Sequence, residues 1–554
     1  MKSFSVILVF ILAAFSAAAQ TDTNAIVGPV ETNAPALQPD ANPVAVQTNT
    51  NPVTAQTGMN AATVPTPPLG TNTAATPVGM NVKTHEMSLE DCIQEALQHN
   101  LDLQIERTVP QISLYTLNSA YGGYDPIFNI SGQHLYNDTG PDFQNAIHVS
   151  GTSYEQNSFN SGVNGSTPWG LTYNFSGNVS HTYNYHSSLF TNSDNSGGQI
   201  GVTLTQPLLK NFWIDQTRLT IRLSKNRLKF SEQSLRSQFI VSITAVEDAY
   251  YELIYALANV QVQQEALALA QTQLDQDGQR VQIGTLAQLD VQQDESQVAK
   301  SKADLIGALA TLGTSQRALK NLLTDQYSKW FDTNIQPTVT LTASLQIFDL
   351  QDSWGKGMTQ RPDLIQARLN VEAQGIQLKY SRNQLFPEVD LLGTYGFNGT
   401  GQQFNDTFNQ FNEGSRPFYS YGAQLIMPLS NVGPRNQYKS TKETLKQVLL
   451  QLKQLEQNVM VEIDNDIGVA RSDYQKAEAS RQARIFAEAA LDAEQKKYAV
   501  GKSTTFTVLQ LQNTLTADRG AEIRAIADYN EALASLSKAE GTTLERHHIN
   551  IEVK

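Results

Sequence analysis

The sequence predicts an α+β fold laid out twice along one chain, in which strand-like segments lead into helices of unusual length. Three observations predict it: an internal repeat, clean period-two alternation, and heptad spacing sustained over many turns. The repeat decides the reading. Asn100–Leu103 (NLDL) matches Arg361–Leu364 (RPDL) at an offset of 261, and Tyr124–Gly132 (YDPIFNISG) matches Leu385–Gly393 (LFPEVDLLG) at the same offset. Leu204–Leu209 (LTQPLL) then matches Leu425–Ser430 (LIMPLS) at 221, and Arg280–Gln293 (RVQIGTLAQLDVQQ) matches Lys497–Gln510 (KYAVGKSTTFTVLQ) at 217. The fall from 261 to 221 leaves about 40 additional residues between the two strand-like segments of the first copy.

Each copy therefore has one order: a helix pair, an alternating segment, a loop, a second alternating segment ending in proline, and two long helices around a glycine. Leu171, Tyr173, Phe175 and Val179 alternate with Thr172, Asn174, Ser176 and Asn178. Ile200, Val202 and Leu204 share a face, as do Val389, Leu391, Tyr395 and Phe397, and Tyr419, Tyr421, Ala423, Leu425 and Met427. Such alternation with Tyr and Phe near the ends fits two settings equally, a transmembrane β-barrel or a soluble antiparallel sheet with one wet face. The segment Leu171–Tyr185 fits an external loop, a strand extension or an added hairpin.

The helices follow from apolar residues stepping by threes and fours. Leu235, Phe239, Ile243, Val246, Tyr250, Leu253, Leu257, Val260 and Leu267 form one stripe; Leu445, Leu449, Leu452, Val459, Ile463, Ile467, Ala470, Tyr474 and Ala477 repeat it. Arg218 to Arg280 alone would reach about 95 Å at 1.5 Å per residue. The other faces are rich in Gln, Ala, Asn and Ser, which suits helices packed on more than one side in a curved wall.

Val500-Gly501-Lys502-Ser503-Thr504 has the ending of a phosphate-binding loop, but Lys496 stands where the pattern needs its first glycine, and a helix precedes it where a strand is required. Gly284 and Gly501 instead reverse the two helix pairs, each as a helix-ending glycine of positive φ. Asp290 and the Thr504/Thr505 pair are placed to cap the returning helices.

Other segments bound the function. Met1-Lys2-Ser3, the apolar run Phe4–Phe15 and Ala17-Ala18-Ala19 read as a secretory signal peptide, 1–19. Residues 20–84, rich in Thr, Asn, Pro and Ala, read as a disordered linker. A net charge of −14, from 39 basic and 53 acidic residues, argues against nucleic acid and points to a cation-favouring passage. One cysteine, Cys92, excludes a disulfide framework. No later apolar run spans a bilayer as a helix, so any membrane entry must be as strands. No nucleophile elbow, metalloprotease motif or other enzyme signature occurs, no cofactor is implied, and the His547-His548 pair reads as an idle tail rather than a metal site. Asp294-Glu295 reads as a solvated helix face.

Residues 86–541 as a whole resemble the TolC-type outer-membrane efflux family. The likeness rests on Ile283-Gly284-Thr285-Leu286-Ala287-Gln288-Leu289-Asp290-Val291 and its partner Val500–Val508, on the RPDL and QPLL signatures, and on the two-fold repeat. It implies a homotrimer in the outer membrane, with about four strands per protomer and twelve in one shared barrel, above a long periplasmic α-barrel of antiparallel coiled coils. It implies a passive exit duct of a tripartite efflux or type I secretion system, set in outer-membrane lipid and docked onto a periplasmic adaptor (membrane fusion) protein and an inner-membrane pump. The docking turns would be Gly284, Thr285, Leu286, Gly501, Lys502 and Ser503. The gate would lie at the same tip, with Asp290 paired across the hairpins to Tyr498 and with Thr507 and Gln510 where the family carries acidic residues. For Asp290 a plain N-cap has equal weight.

The domain boundaries that follow are repeat 1 at 85–324, a connection at 325–344, repeat 2 at 345–541 and a tail at 542–554. The competing reading is a periplasmic coiled-coil adaptor or scaffold with a β-domain, which would show a single helical hairpin. A secreted glycan hydrolase or binding protein is disfavoured by the long heptads.

Overall fold

A computed structural model describes residues 83–139, 142–144, 147–149, 152–186 and 193–550, all within one compact unit, Val78–Lys554. The expected signal peptide and nearly all of the linker lie outside them. Strand β1 (Lys83–Met87) begins within the last two residues of that linker and pairs in parallel with β8 (Thr333–Pro337).

Two short helices follow, α1 (Leu89–His99) and α2 (Leu101–Tyr121). Their counterparts in the second half are α6 (Leu350–Gln360) and α7 (Pro362–Asn383). The repeated NLDL and RPDL strings are the boundaries inside these pairs. Asn100 ends one helix and caps the next, its side chain accepting from the Leu103 amide at 3.1 Å. Arg361 holds the same place, with Pro362 at the first helical position and its guanidinium on Asp363. Leu103 and Leu364, equivalent in the repeat, are both buried.

The strands form one antiparallel sheet in the order β10-β9-β7-β6-β5-β2, formed by β2 (Ile127–Thr139), β5 (Thr152–Ser166), β6 (Thr172–His186), β7 (Ser193–Pro207), β9 (Glu388–Gly401) and β10 (Pro417–Ile426). Two three-residue strands, β3 (Asp142–Gln144) and β4 (Ile147–Val149), pair beyond the end of β2. This corrects the expectation of four strands. The additional residues of the first half fold into the hairpin β5–β6, long enough to pair along its whole length with β2 on one side and β7 on the other. A segment that can satisfy its backbone groups inside a sheet gains more than one left as a loop.

Register makes the sheet two-faced. Phe128, Val163, Phe175, Val202, Tyr395 and Tyr419 lie in one cross-strand row, all on the apolar face. Asn164, Asn174, Thr203, Thr394 and Ser420 form a row on the other. Helix α8 (Phe404–Glu413), between β9 and β10, rests on the apolar face near the strand ends farthest from the long helices. The Thr407 hydroxyl donates to Ser196 Oγ at 2.8 Å, and both residues are fully buried.

The long helices are α3 (Gln216–Gln282), α4 (Gln288–Leu323), α9 (Val432–Ala499) and α10 (Thr505–Glu540), of 67, 36, 68 and 36 residues. The apolar stripe of α3 is buried from Leu235 to Val260 apart from half-buried Leu257; in α9 Val459, Ile463, Ile467, Ala470 and Ala477 are buried, while Leu449 of the expected stripe is exposed. The largest core gathers α1, α3, α4 and β8 around Ile93, Phe239, Tyr250, Leu319 and Ile335. Short helices α5 (Tyr327–Trp330) and α11 (Thr543–Arg546) complete the chain. Among described residues no helix is long and apolar enough to cross a membrane.

The tail is not idle. His547 is nearly buried, its Nε2 3.0 Å from Glu247 Oε1 and its Nδ1 3.6 Å from Glu90 Oε2. Arg546 also reaches Glu247. A fully buried carboxylate needs such partners, which is why the tail packs on α3.

Both reversals have the same geometry. Gly284 (φ 78°) and Gly501 (φ 73°) follow the helix ends; Thr285 N–H donates to Arg280 O at 2.9 Å and Lys502 N–H to Lys497 O at 3.0 Å. These are Schellman closures. Nothing stands within 4 Å of an added Cβ at either glycine, so only the backbone conformation opposes a side chain. Gly284→Ala and Gly501→Ala are each expected to destabilise their tip by about 1–2 kcal/mol, with Asn costing less than Ala. Faster amide exchange confined to residues near the turns checks this.

Candidate functional site at the helical tips

The α3/α4 and α9/α10 hairpins meet near their turns through a buried polar cluster. Gln273, Asp277 and Arg280 are spaced four and three apart, so one stripe of α3 carries all three. Asp277 is fully buried. Gln273 Nε2 donates to its Oδ2 at 2.7 Å, and Arg280 Nη1 stands 3.3 Å from its Oδ1. From the second hairpin the Tyr498 hydroxyl donates to Asp277 Oδ2 at 2.7 Å, while Thr505 Oγ1 is 2.8 Å from the Tyr498 oxygen and 3.4 Å from the carboxylate. The Arg280 guanidinium also lies over the Tyr498 ring, 4.5 Å from its centroid. One carboxylate on the first hairpin is thus the common acceptor for donors of both. Charge-assisted bonds of this kind are about twice as strong as neutral ones.

Beneath it, Asp294 on α4 is 1% exposed. Burial pushes its pKa up to about 7, with Asp277 and Asp290 adding like-charge repulsion. The reading of Asp294-Glu295 as a solvated face holds for Glu295, which is exposed, and is corrected for Asp294, which is buried. Farther from the turns, Gln297 and Asn513 exchange reciprocal amide bonds of 2.8 and 3.1 Å between α4 and α10. Arg519 joins Glu265 at 2.7 Å, and Arg524 binds Glu252, Asp528 and Glu531. Burial raises Glu531 to about 7 despite Arg524.

Of the expected gate residues, Tyr498 is in this cluster but its partner is Asp277, not Asp290. Asp290 is half-buried in the first turn of α4, whose N-cap is Ala287, so it is not the cap either. Thr504 does cap α10, accepting from the Thr507 amide at 3.4 Å. Thr507 is half-buried beside that cap and Gln510 is exposed; neither touches Asp277. Sequence reasoning missed Gln273, Asp277 and Arg280, although their four-and-three spacing one heptad before Gly284 was the available signal.

The docking turns are exposed at Gly284, Thr285, Gly501 and Lys502; Leu286 and Ser503 are half-buried, the latter donating to Glu494 Oε1 at 2.6 Å. Apolar residues flank them in matching places. Ile283 is 73% and Val500 68% exposed just before the glycines; Leu289 and Phe506 are exposed just after. No group of described residues forms a metal-binding cluster.

The outer membrane efflux protein family model matches residues 166–324 and 358–542, more than half of the chain. The chain belongs to the outer membrane efflux protein family. It is 23% identical to outer membrane protein TolC of Vibrio cholerae over 359 residues, 63% of this chain and 78% of that protein. It is 22% identical to outer membrane efflux protein BepC of Brucella suis, over 62% of this chain and 72% of that protein. The solved outer-membrane channel OprN shares the fold, with a TM-score of 0.62 at 15% identity over 82% of this chain and 90% of that one. The protein is therefore an outer-membrane efflux channel whose helical part lies in the periplasm. Channels of the TolC type form trimers and work with adaptor and pump partners.

Asp294 also makes the tip pH-dependent. Its folded pKa of about 7 lies above the ordinary 3.8, so the folded tip keeps a proton that the unfolded segment has already released. Its contribution is undiminished below about pH 4, falls as pH rises toward 7, and changes no further above. Asp294→Asn is expected to flatten that fall. Amide exchange of residues near 273–298 at pH 5 and 8, corrected for intrinsic rates, checks it.

Proposed function

We propose that three copies of this chain close one barrel in the outer membrane and one helical tunnel beneath it, forming a passive exit duct that opens at the tip. The observation that carries this reading is the unfinished sheet. Strand β2 pairs only with β5 and β10 only with β9 among described residues, and nearly every residue of both is exposed. In hydrocarbon such edges are untenable, since each unpaired backbone group costs several kcal/mol. With six antiparallel strands the two edges run in opposite directions. The β2 of one copy therefore meets the β10 of the next antiparallel, and copies add without a break. Exposed apolar residues on α2 (Ile105, Ile112, Tyr115) and α9 (Leu450, Val461, Phe486) support side-by-side packing of the helical walls.

The two halves, 85–324 and 345–541, joined by 325–344 and followed by the tail 542–554, act as duplicated units, so three chains present six similar hairpin tips. Ile283 with Leu289, and Val500 with Phe506, are the apolar knobs on which a periplasmic adaptor would dock, linking the duct to an inner-membrane pump. Residues 1–19 would direct export and 20–84 would tether the mature N-terminus. No catalytic step is part of this reading; energy comes from the pump.

Opening requires the α9/α10 hairpin to leave α3, and the Tyr498–Asp277 bond holds them together. Outer-membrane fractionation with an unheated gel is expected to find a heat-sensitive trimer; a soluble monomer would overturn the proposal. Tyr498→Phe removes a bond to a charged partner, about 1.5–3 kcal/mol per protomer. It is expected to raise the open probability of reconstituted channels by about tenfold or more, with trimer yield unchanged.

A further inference from the structure

The inserted hairpin β5–β6 could decorate the barrel rim or form part of its wall, and four observations bear on the choice. It pairs fully on both sides, from Ile127↔Asn164 to Thr139↔Thr152 with β2, and from Thr172↔Thr205 to Asn184↔Ser193 with β7. Its faces continue those of its neighbours: Val163, Tyr173 and Phe175 on the apolar side, Asn160, Asn164, Asn174 and Asn178 on the polar side.

Its tight turn lies at the end nearest the long helices. There Thr167 N–H donates to Leu171 O at 2.8 Å, Gly170 takes φ 91°, and the turn backs onto Asn211 and Arg218. Trp169 in that turn and Trp213 after β7 are 62% and 72% exposed, placing the insertion in the aromatic girdle that marks a membrane interface. At the other end α8, from the second half of the chain, is bolted across it. The Phe404 ring stands 5.8 Å from Phe159 and 5.2 Å from His181, on the apolar side, while Asn405, Asn409 and Asn412 face outward, exposed. A hairpin that turns at one interface and is clamped at the other crosses the membrane.

We infer that β5–β6 widens the exit pore: three copies of the six-stranded sheet close eighteen strands, and the lumen passes bulky hydrophilic solutes with little regard to charge. This rests on the trimeric reading above. Barrel diameter grows roughly linearly with strand number, so the pore is about 1.5 times as wide as twelve strands would make it. The row Ser131, Asn160, Asn178, Gln199 and Asn398 crosses its inner face without a charged side chain. Asn178 Oδ1 accepts from the Gln199 amide at 3.0 Å, so this lining is ordered rather than a loose fringe. A cation preference, which the net charge of −14 suggests, would then have to arise among the helices.

The test uses the purified full-length channel in planar bilayers, with neutral polyethylene glycols added only on the strand side. A variant joining Thr139 to Ser193 through an Asn-Gly turn removes the hairpin and brings β2 directly against β7. The largest polymer that enters is expected to have about 1.5 times the hydrodynamic radius for the full chain as for this variant. Equal cut-offs in two trimeric channels would overturn the inference. Independently, Asn160→Cys and Asn178→Cys channels are expected to change current when a charged thiol reagent is added from the strand side, and Val163→Cys is not. Reaction at Val163 alone, or at none of the three, would also overturn it and covers the case where the deletion does not assemble. Failure of the full chain to form a trimer would instead remove the reading on which this one rests.

Discussion

In hydrocarbon a backbone N–H or C=O has no water to turn to, and this requirement governs the architecture. A six-stranded sheet satisfies every internal ladder and leaves two edges. Nothing within the described chain covers them: α8 lies on a face, not an edge, and β3 pairs only with β4. On the proposed trimeric reading the fold is one part of a larger closed object, and its exposed apolar strands face lipid and copies of itself. The insertion of β5–β6 obeys the same constraint. Two strands, not one, had to be added, because a single strand would leave the sheet's edges running in the same direction and prevent antiparallel closure.

The helices answer a different requirement. Midway along α3 the long stripes bury large side chains, Phe239, Tyr250 and Leu319 among them, and this stretch gathers the largest core. Toward the turns the buried set thins to Ala487, Leu491, Val508 and Leu515, and the contact between hairpins passes to polar groups around Asp277. Apolar burial is non-directional and degrades gradually with separation, whereas a carboxylate held by three or four donors has a definite joined state and a definite parted one. A duct that must be sealed and also open needs its joint where a two-state contact replaces continuous packing.

Much of this was legible in the chain. The offsets of 261, 221 and 217 located both hairpins, and both glycines take positive φ as a helix-ending glycine should. The heptad stripes predicted most of the buried residues of α3 and, from Val459 onward, of α9, whereas Leu449 in the same stripe is exposed, because spacing says which residues share a face but not whether a partner covers it. The strand count was not legible, for a physical reason. On β5 the positions on the apolar face include Ser161 and Gly165 beside Phe159 and Val163, so period-two contrast nearly vanishes. Its identity as a strand comes from partners on both sides rather than from its own pattern. Pairing between hairpins was equally hidden. Asp277 and Tyr498 are 221 residues apart, and only the arrangement of α3 against α9 and α10 selects Asp277 over the nearby Asp290. The tail failed for the opposite reason: His547 looked free because its partners, Glu90 and Glu247, lie on α1 and α3.

The distribution of charge along the molecule separates two tasks that a single tube must perform. Carboxylates are concentrated on the helices, where Asp277, Asp294 and the Arg524 cluster lie at contacts between helices. The polar face of the sheet, from the row of Ser131 to that of Thr394, is mostly amides, hydroxyls and glycines, with Ile127 and Phe418 at its two edges and no charged side chain. Groups that titrate or pair can discriminate and can switch; amides and hydroxyls wet a surface without doing either. On the proposed reading, control is then confined to the end that meets other proteins, and the end in the membrane offers width and wetting alone. The hairpin, residues 152–186, touches β2, β7, α8 and, at its turn, Asn211 and Arg218 around the start of α3, far from the cluster around Asp277 through which the helix pairs are coupled.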